Sequence, residues 1–137
     1  MRPARFQNLL IDAINNDGQM EAAHTYADAR ITRSLYGIIL TGPVKANVQI
    51  AARSALGDDH TQPEHIVTGE PHAPLTITIP TVLADVERYL APLAVDIAPQ
   101  EVASVSLYSV REKPQAVKYG FTVNFHDGSA IFVYINE

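Results

Sequence analysis

A histidine- and acid-rich stretch, residues 58–72, holds the side chains of this sequence best suited to binding a metal ion. Imidazole and carboxylate groups are the ligands that zinc and other divalent ions take in proteins. The stretch supplies His60, His65 and His72, together with the carboxylates of Asp58, Asp59, Glu64 and Glu70. Their spacing matches no established metal motif, and the prolines among them exclude a helix that carries His-x-x-x-His. A solvated loop is the favoured interpretation, and a zinc site in a metal-dependent enzyme or ligand-binding protein is the alternative.

A second pair of reactive groups, His24 and Asp28, is spaced four residues apart on a predicted helix, where such side chains can meet. This spacing is more typical of a surface pair than of a catalytic dyad. The sequence contains no cysteine, which excludes thiolate nucleophiles and disulfides. It also lacks a nucleophile elbow, a phosphate-binding glycine loop and a zinc-protease motif. We therefore expect a protein that is not an enzyme and that requires no cofactor.

The charge of the chain is acidic and unevenly distributed, with a formal net charge of −5. Residues 1–56 carry six basic and four acidic residues, a net charge of +2, whereas residues 57–137 carry four and eleven, a net charge of −7. An acidic body disfavours binding to nucleic acid. Nucleic-acid binding remains a third hypothesis because four basic residues fall on predicted helices, namely Arg30, Arg33, Lys45 and Arg53.

The hydropathy of the chain predicts a protein of the cytoplasm. No run of residues approaches the length of apolar sequence that crosses a membrane. Polar residues interrupt the N-terminal stretch where a signal peptide would carry its apolar segment. We therefore expect a cytoplasmic chain that makes no membrane contact.

The last third of the chain gives the clearest structural signal. Apolar residues alternate with polar ones from Val117 to Phe125 and again from Ile131 to Ile135, which predicts two strands, each with one buried face. A three-residue loop, His126-Asp127-Gly128, places the large apolar residues of both strands on one face. It pairs Val123 with Ile131, Phe121 with Val133, and Tyr119 with Ile135. A two-residue turn would separate these faces, so burial favours the three-residue loop.

That register turns other side chains to the opposite face of the predicted sheet, where we expect a binding surface. Its candidate residues are Tyr108, Lys118, Asn124, Phe132 and Tyr134. Aromatic side chains dominate the energetics of protein interfaces, which favours a role in binding. Two structural interpretations compete with this hypothesis. Either the N-terminal helices cover this face, or Tyr134 only shields Gly120 across the strands.

The remaining elements are predicted from periodicity and from turn residues. Apolar residues at helical spacing predict three N-terminal helices, over residues 3–14, about 19–40 and about 43–56. Proline-rich residues 57–74 predict a loop. A short strand (75–79), a helix from about Thr81 and a strand ending at Tyr108 follow. A turn at Glu112-Lys113-Pro114 then pairs Leu107 with Tyr119 and Val105 with Phe121.

Together these elements predict one α+β domain over residues 1–137. Three N-terminal helices precede a β-α-β-β-β unit, whose four-stranded, mainly antiparallel sheet packs on helices. No internal repeat is recognisable. The absence of a catalytic motif and the aromatic residues of the predicted sheet favour a small, acidic, non-enzymatic interaction module. We expect it to bind a protein partner, to form a homodimer, or both.

Overall fold

The computed structural model describes residues 1–110 and 117–137 of the chain. These residues form two α-helices, α1 (Pro3–Asp17) and α2 (Leu83–Asp96). They also form six strands, namely β1 (Ala22–Thr25), β2 (Tyr36–Thr41), β3 (Ala46–Arg53), β4 (Val102–Leu107), β5 (Tyr119–Phe125) and β6 (Ala130–Asn136). The predicted turn at residues 112–114 lies outside the described residues.

The six strands form one antiparallel sheet in the order β1-β2-β3-β6-β5-β4. Helix α1 packs against β1, β2 and β3, and helix α2 packs against β4, β5 and β6. Both helices contribute to a single apolar core on one face of the sheet, which includes Phe6, Leu10, Ile14, Tyr89, Leu90, Ile38, Val48, Ile50, Phe121, Val123, Ile131 and Val133. Burial of each such aliphatic or phenylalanine side chain stabilises the fold by about 1.5–3 kcal/mol.

The prediction of three N-terminal helices and a four-stranded sheet is wrong, although the chain is α+β. Only the first helix forms, and residues predicted as the second and third helices form β1, β2 and β3. Along β3, buried Ala46, Val48 and Ile50 alternate with half-buried Asn47 and Gln49. This period of two competes with the helical spacing of the same apolar residues, and pairing with β2 and β6 decides for the strand.

The predicted strand at residues 75–79 is also absent, because its backbone is bound to α2 rather than to the sheet. Pro92 lies inside α2 and has no N–H to donate to the carbonyl of Arg88, one turn earlier. The backbone N–H of Thr78 donates to that carbonyl at 3.1 Å instead. The segment from residue 54 to residue 82 therefore has no helix or strand and lies partly along α2.

The C-terminal hairpin has the predicted register. Val123 pairs with Ile131, Phe121 with Val133, and Tyr119 with Ile135. The loop is the three-residue one, with Gly128 left-handed at a φ of 87° and its N–H bonded to the Phe125 carbonyl at 3.0 Å. The pairing predicted for the preceding strand is wrong by two residues, since Leu107 faces Phe121 and Val105 faces Val123. A slip of two residues keeps Val105 and Leu107 on their predicted face, whereas a register shift between Val102 and Ser104 turns Val102 into the core.

The chain also contains a structural repeat, which is not recognisable in the sequence. Each half consists of one helix followed by three antiparallel strands in consecutive order, α1-β1-β2-β3 and α2-β4-β5-β6. The third strands of the two halves, β3 and β6, pair with each other and join the half-sheets. The two halves therefore have the same topology.

The two halves share a buried contact between the helix and its second strand. In the first half, Gln7 of α1 accepts a hydrogen bond from the backbone N–H of Gly37 at 3.0 Å. In the second half, Glu87 of α2 accepts one from the N–H of Gly120 at 3.1 Å. Gln7 and Glu87 each occupy the fifth position of their helices. Each glycine follows a tyrosine, so that the strands begin Tyr36-Gly37 and Tyr119-Gly120.

A second shared contact explains the two glycines. A Cβ atom on Gly37 would collide with the ring of Tyr26, which follows β1. A Cβ atom on Gly120, whose φ is 149°, would collide with the carbonyl oxygen of Val133 and would also meet the ring of Tyr108, which follows β4, at 2.9 Å. Both tyrosines are buried, with 1% and 6% of their surface exposed. The glycines thus make room for a tyrosine ring on the face of the sheet that points away from the helices.

A pseudo-two-fold axis relates the halves and passes through the centre of the sheet. Gly37 pairs with Gln49, and Gly120 pairs with Tyr134. Matching the two glycines therefore matches Gln49 with Tyr134. Because Gln49 and Tyr134 are also cross-strand partners of each other, the axis lies between them.

Candidate functional site

The candidate site is the face of the sheet that points away from both helices, here called the outer face. Strand alternation places on it His24, Ile39, Asn47, Gln49, Ala51, Ser104, Ser106, Gly120, Thr122, Asn124, Phe132 and Tyr134. None of these side chains is a carboxylate, an ammonium or a guanidinium group. By the same alternation Arg53, the last residue of β3, lies at the margin of this face and is the first charged residue along that strand. The outer face is therefore uncharged over its centre, in a chain with 10 basic and 15 acidic residues.

Two half-buried aromatic side chains, Phe132 and Tyr134, occupy the second half of this face. Phe132 lies between its cross-strand neighbours Ala51 and Thr122 and is half-buried. Tyr134, also half-buried, lies between Gln49 and Gly120. The rings of Tyr134 and Tyr108 are tilted by 40° with their centroids 6.1 Å apart, a spacing at which aromatic rings attract each other.

Polar contacts hold the side chains around these rings. The hydroxyls of Tyr108 and Thr122 share a hydrogen bond of 2.8 Å. The amide of Asn124 donates to the hydroxyl of Ser104 at 3.1 Å. These bonds link β4 to β5 on the outer face, so that this half of the surface is held in one arrangement.

Four of the five predicted binding residues lie together on this face or at its margin, namely Tyr108, Asn124, Phe132 and Tyr134. The fifth, Lys118, precedes β5, and its ammonium group lies 5.4 Å from the centre of the Tyr119 ring. The helices pack on the opposite face, so they leave this face uncovered. Ile39, Asn47, Gln49 and Ala51 were not predicted for this face, because β2 and β3 were assigned to helices. The alternation of residues 44–50 is the signal that identifies Asn47 and Gln49.

The structural repeat gives an internal comparison for the aromatic residues. Gln49 of the first half occupies the position that Tyr134 occupies in the second. Ile39 and Thr122 each stand two residues after the shared glycine, and they pair with Asn47 and Phe132 respectively. Asn47 and Phe132 are therefore equivalent. The same backbone arrangement thus forms with two amides in one half and two aromatic rings in the other.

The predicted metal ligands are not brought together. His60 lies 3.1 Å from a carboxylate oxygen of Asp58 and 3.3 Å from the hydroxyl of Ser54. His65 lines a cavity of about 350 Å³, whereas a ring nitrogen of His72 lies 2.7 Å from the carbonyl of Ala73. Within residues 1–110 and 117–137, no group of three histidine or acidic side chains has an arrangement that would hold a metal ion.

The carboxylates of the same loop bind the first turn of α1 instead. Arg5 donates to both oxygens of Glu101 at 2.6 and 2.7 Å and to Glu64 at 2.9 Å. These bonds raise the pKa of Arg5 above its ordinary value, with the hydrogen bonds to Glu101 as the main cause. Arg2 bonds Asp58 at 2.9 Å, which lowers the pKa of that carboxyl. Asp58 and Glu64, which line the cavity of about 350 Å³, therefore bind Arg2 and Arg5 and hold the loop against the start of α1.

The other candidates from the sequence are also dispersed. His24 lies on β1 and Asp28 in the following loop, where both line a shallow cavity of about 240 Å³ with Ala29 and Ile39. Arg33 lies over the ring of Tyr26, 5.4 Å from its centre, at the β1–β2 side of the outer face. Lys45 and Arg53 flank opposite ends of β3, about 26 Å apart at the rise of a strand. Lys45 is therefore separated from Arg53 by the length of β3.

No helix among the described residues has the length and apolarity needed to cross a membrane. Comparison with protein-family models, with curated proteins and with solved structures finds no match to this chain.

Proposed function

We propose that this protein is a non-enzymatic binding module that holds a protein partner on its outer face. Phe132 and Tyr134 form the centre of the contact, with Gln49 and Ala51 beside them on β3. Asn124 and Tyr108 belong to its margin. The partner buries the two half-exposed rings and leaves the helices and the core unchanged.

The observation that carries this proposal is the comparison of the two halves. Asn47 and Gln49 stand where the second half has Phe132 and Tyr134, and the backbone pairing is the same. The fold therefore does not require aromatic rings at these positions. Large apolar side chains that the fold does not require, on a face that both helices leave uncovered, are typical of a binding surface.

The charge of the outer face supports a protein partner over nucleic acid or a metal ion. The centres of protein interfaces are depleted in charged residues and enriched in aromatic ones. A nucleic-acid surface needs clustered lysine and arginine side chains, and the central strand positions of the outer face carry none. The outer face supplies aromatic rings, amides and hydroxyls, which suit recognition better than proton transfer.

The test exchanges the two rings for the residues of the other half, in the double variant F132N/Y134Q. We expect this variant to remain folded and to lose a protein that the wild-type chain, immobilised on a column, retains from a cell extract. The variant L56N is the matched control, because Leu56 is an exposed apolar residue in the loop after β3. It should retain the same protein as the wild type. Equal retention by F132N/Y134Q would contradict the proposal.

A further inference from the structure

We infer that the partner on the outer face is an acidic protein segment, whose carboxylates bind Arg33 and Arg53 while its apolar side chains cover Phe132 and Tyr134. This inference rests on the proposed function, because it uses the same face and the same two rings. The charge of the partner follows from the distribution of charge around the face.

The strands carry almost no charge, and the charge that they carry is positive. The six strands of the described residues contain no aspartate, glutamate or lysine, and Arg53 is their single arginine. The acidic residues that the structure describes therefore lie outside the strands. Asp28, in the loop after β1, lines a cavity with His24 and Ile39 at the β1 edge of the face. The side of the face that carries the rings has an arginine at its margin instead.

Arg53 lies directly beside the aromatic centre. It pairs with Ala130, and Ala51, two residues earlier on β3, pairs with Phe132. Arg53 and Phe132 are therefore diagonal cross-strand neighbours on the same face, about 7–8 Å apart, a separation that long side chains span. A partner that covers the Phe132 ring thus reaches the guanidinium group of Arg53.

Arg33 adjoins the same centre from the side of β2. Its guanidinium group lies 5.4 Å from the centre of the Tyr26 ring, and that ring occupies the space above Gly37. Gly37 pairs with Gln49, which pairs with Tyr134. Gly37 and Tyr134 are therefore two strand spacings apart, about 10 Å. A partner that spans this row of residues contacts both the Tyr134 ring and the arginine.

Neither arginine has an acidic partner within the described part of the chain. The ion pairs found there join acidic groups to residues 1–5 and to His60, and none of them involves Arg33 or Arg53. Both side chains are exposed. Each guanidinium group can therefore donate two parallel hydrogen bonds to a carboxylate of the partner.

Charge complementarity selects an acidic partner for this margin. A basic partner would bring like charges together at Arg33 and Arg53, and a neutral one would remove water from them without supplying an acceptor. The formal net charge of −5 does not reverse this preference. At physiological salt, exposed charges are screened beyond about 8 Å, so the arginines beside the contact outweigh acidic groups elsewhere on the chain.

A single-stranded nucleic acid is the competing anionic partner, and the uncharged centre of the face disfavours it. Every nucleotide carries a phosphate, so a strand that crosses the face would place phosphates over positions without a cation. A protein segment can carry its carboxylates at one end and its apolar side chains at the other. That arrangement matches a face with arginines at one margin and rings at the centre.

Selection from a library of random short peptides on the immobilised intact chain tests the inference. We expect the enriched peptides that F132N/Y134Q fails to bind to contain more aspartate and glutamate than lysine and arginine. Replacement of these acidic residues by asparagine and glutamine should weaken binding at least about fivefold, because the charged acceptors are lost. Enriched peptides that are basic or neutral, or amide forms that bind equally well, overturn the inference.

Single substitutions in the intact chain locate the charges. R33Q and R53Q should each weaken binding of the selected peptides at least about threefold, and added salt should reduce this difference. R88Q is the matched control, because Arg88 is an exposed arginine of α2, which packs on the opposite face. It should leave peptide binding unchanged. Equal effects of all three variants, or no effect of R33Q and R53Q, overturn the inference.

Two other occupants give different results with the same variants. A short oligothymidylate that competes with the selected peptides and binds more tightly than they do overturns the inference in favour of nucleic acid. A wild-type chain that dimerises through Phe132 and Tyr134, and whose dimer is unaffected by R33Q and R53Q, overturns it in favour of a second copy.

The two proposals fail separately. Peptides whose binding depends on Phe132 and Tyr134 but not on Arg33 or Arg53 remove the acidic partner and keep the binding face. A selection in which F132N/Y134Q retains every peptide that the wild type binds removes both.

Discussion

Glu87 shows how a single residue can hold both layers of one half together. Its side chain is fully buried, and its carboxylate accepts hydrogen bonds from the backbone N–H groups of Ser109 and Gly120 and from the Ser109 hydroxyl. A buried carboxylate persists only where such donors replace water. The equivalent Gln7 accepts one of these bonds as a neutral amide. Both helices thus have a hydrogen-bond acceptor at this position, but it is a carboxyl group only in the second half.

Substitution of Glu87 tests this account at the residue scale. We expect Glu87→Ala to lower the free energy of unfolding by about 1–3 kcal/mol, because it leaves the buried backbone N–H of Gly120 without its acceptor and removes the part-buried bonds to Ser109. Glu87→Gln should cost less, because the amide oxygen still accepts from Gly120, as Gln7 does from Gly37. Urea unfolding measures both values. Equal losses for the two variants would contradict the role of the acceptor.

Elements that were predicted correctly are those in which local and long-range signals agree. Pro3 at the start of α1, the left-handed Gly18 after its end and the buried Phe6, Leu10 and Ile14 all favour the observed helix. In the C-terminal hairpin, alternation and turn chemistry favour one register. The binding residues on β5 and β6 were predictable for the same reason.

Elements that were predicted wrongly are those in which the local pattern of apolar residues does not match the contacts that the segment makes. The stretch 19–40 has apolar residues at helical spacing, yet Gly37 and the β-branched Ile38 and Ile39 favour a strand. Residues 75–79 alternate as a strand, but the carbonyl left free by Pro92 binds Thr78 and directs the segment onto α2. In each case the outcome depends on a partner distant in the chain, which local periodicity does not describe.

The loop after β3 should respond to acid, because hydrogen bonds lower the pKa of two of its carboxyls. Asp58 is held by Arg2, and Asp59 accepts from the Thr61 hydroxyl and backbone N–H. A folded-state pKa below the unfolded value of about 3.9 contributes stability above that pH, and this contribution disappears as the pH falls through the folded pKa. We therefore expect residues 57–66 to loosen below about pH 4.

Hydrogen exchange, corrected for the intrinsic effect of pH, measures this loosening. Protection of the backbone in residues 57–66 should fall between pH 5 and pH 3, while protection of β3 and β6 changes less. The variant R2Q should already show weaker protection of the loop at pH 5. An unchanged loop in R2Q would contradict the role of the Arg2–Asp58 pair.

At the scale of the whole molecule, the chain consists of two halves with the same topology. They differ in the side chains that they place on the outer face. The helix-to-glycine contact and the covering tyrosine are common to both, so these features belong to the fold. In the sequence, these shared features correspond to only a few residues, namely the two Tyr-Gly pairs and the acceptors Gln7 and Glu87. So few shared residues do not reveal a repeat without the strand pairing. The outer face, where one half has amides and the other has rings, carries the difference that we assign to binding.

The most direct test of this account is the free energy of unfolding of F132N/Y134Q, measured by urea denaturation at a concentration where the chain is monomeric. We expect a loss of about 4 kcal/mol or less, the sum of two cross-strand contacts and two strand preferences of up to about 1 kcal/mol each. Aromatic residues of a packed core cost about 3–5 kcal/mol each when truncated. A loss above about 5 kcal/mol would show that Phe132 and Tyr134 serve the fold, and it would contradict their assignment to a binding surface.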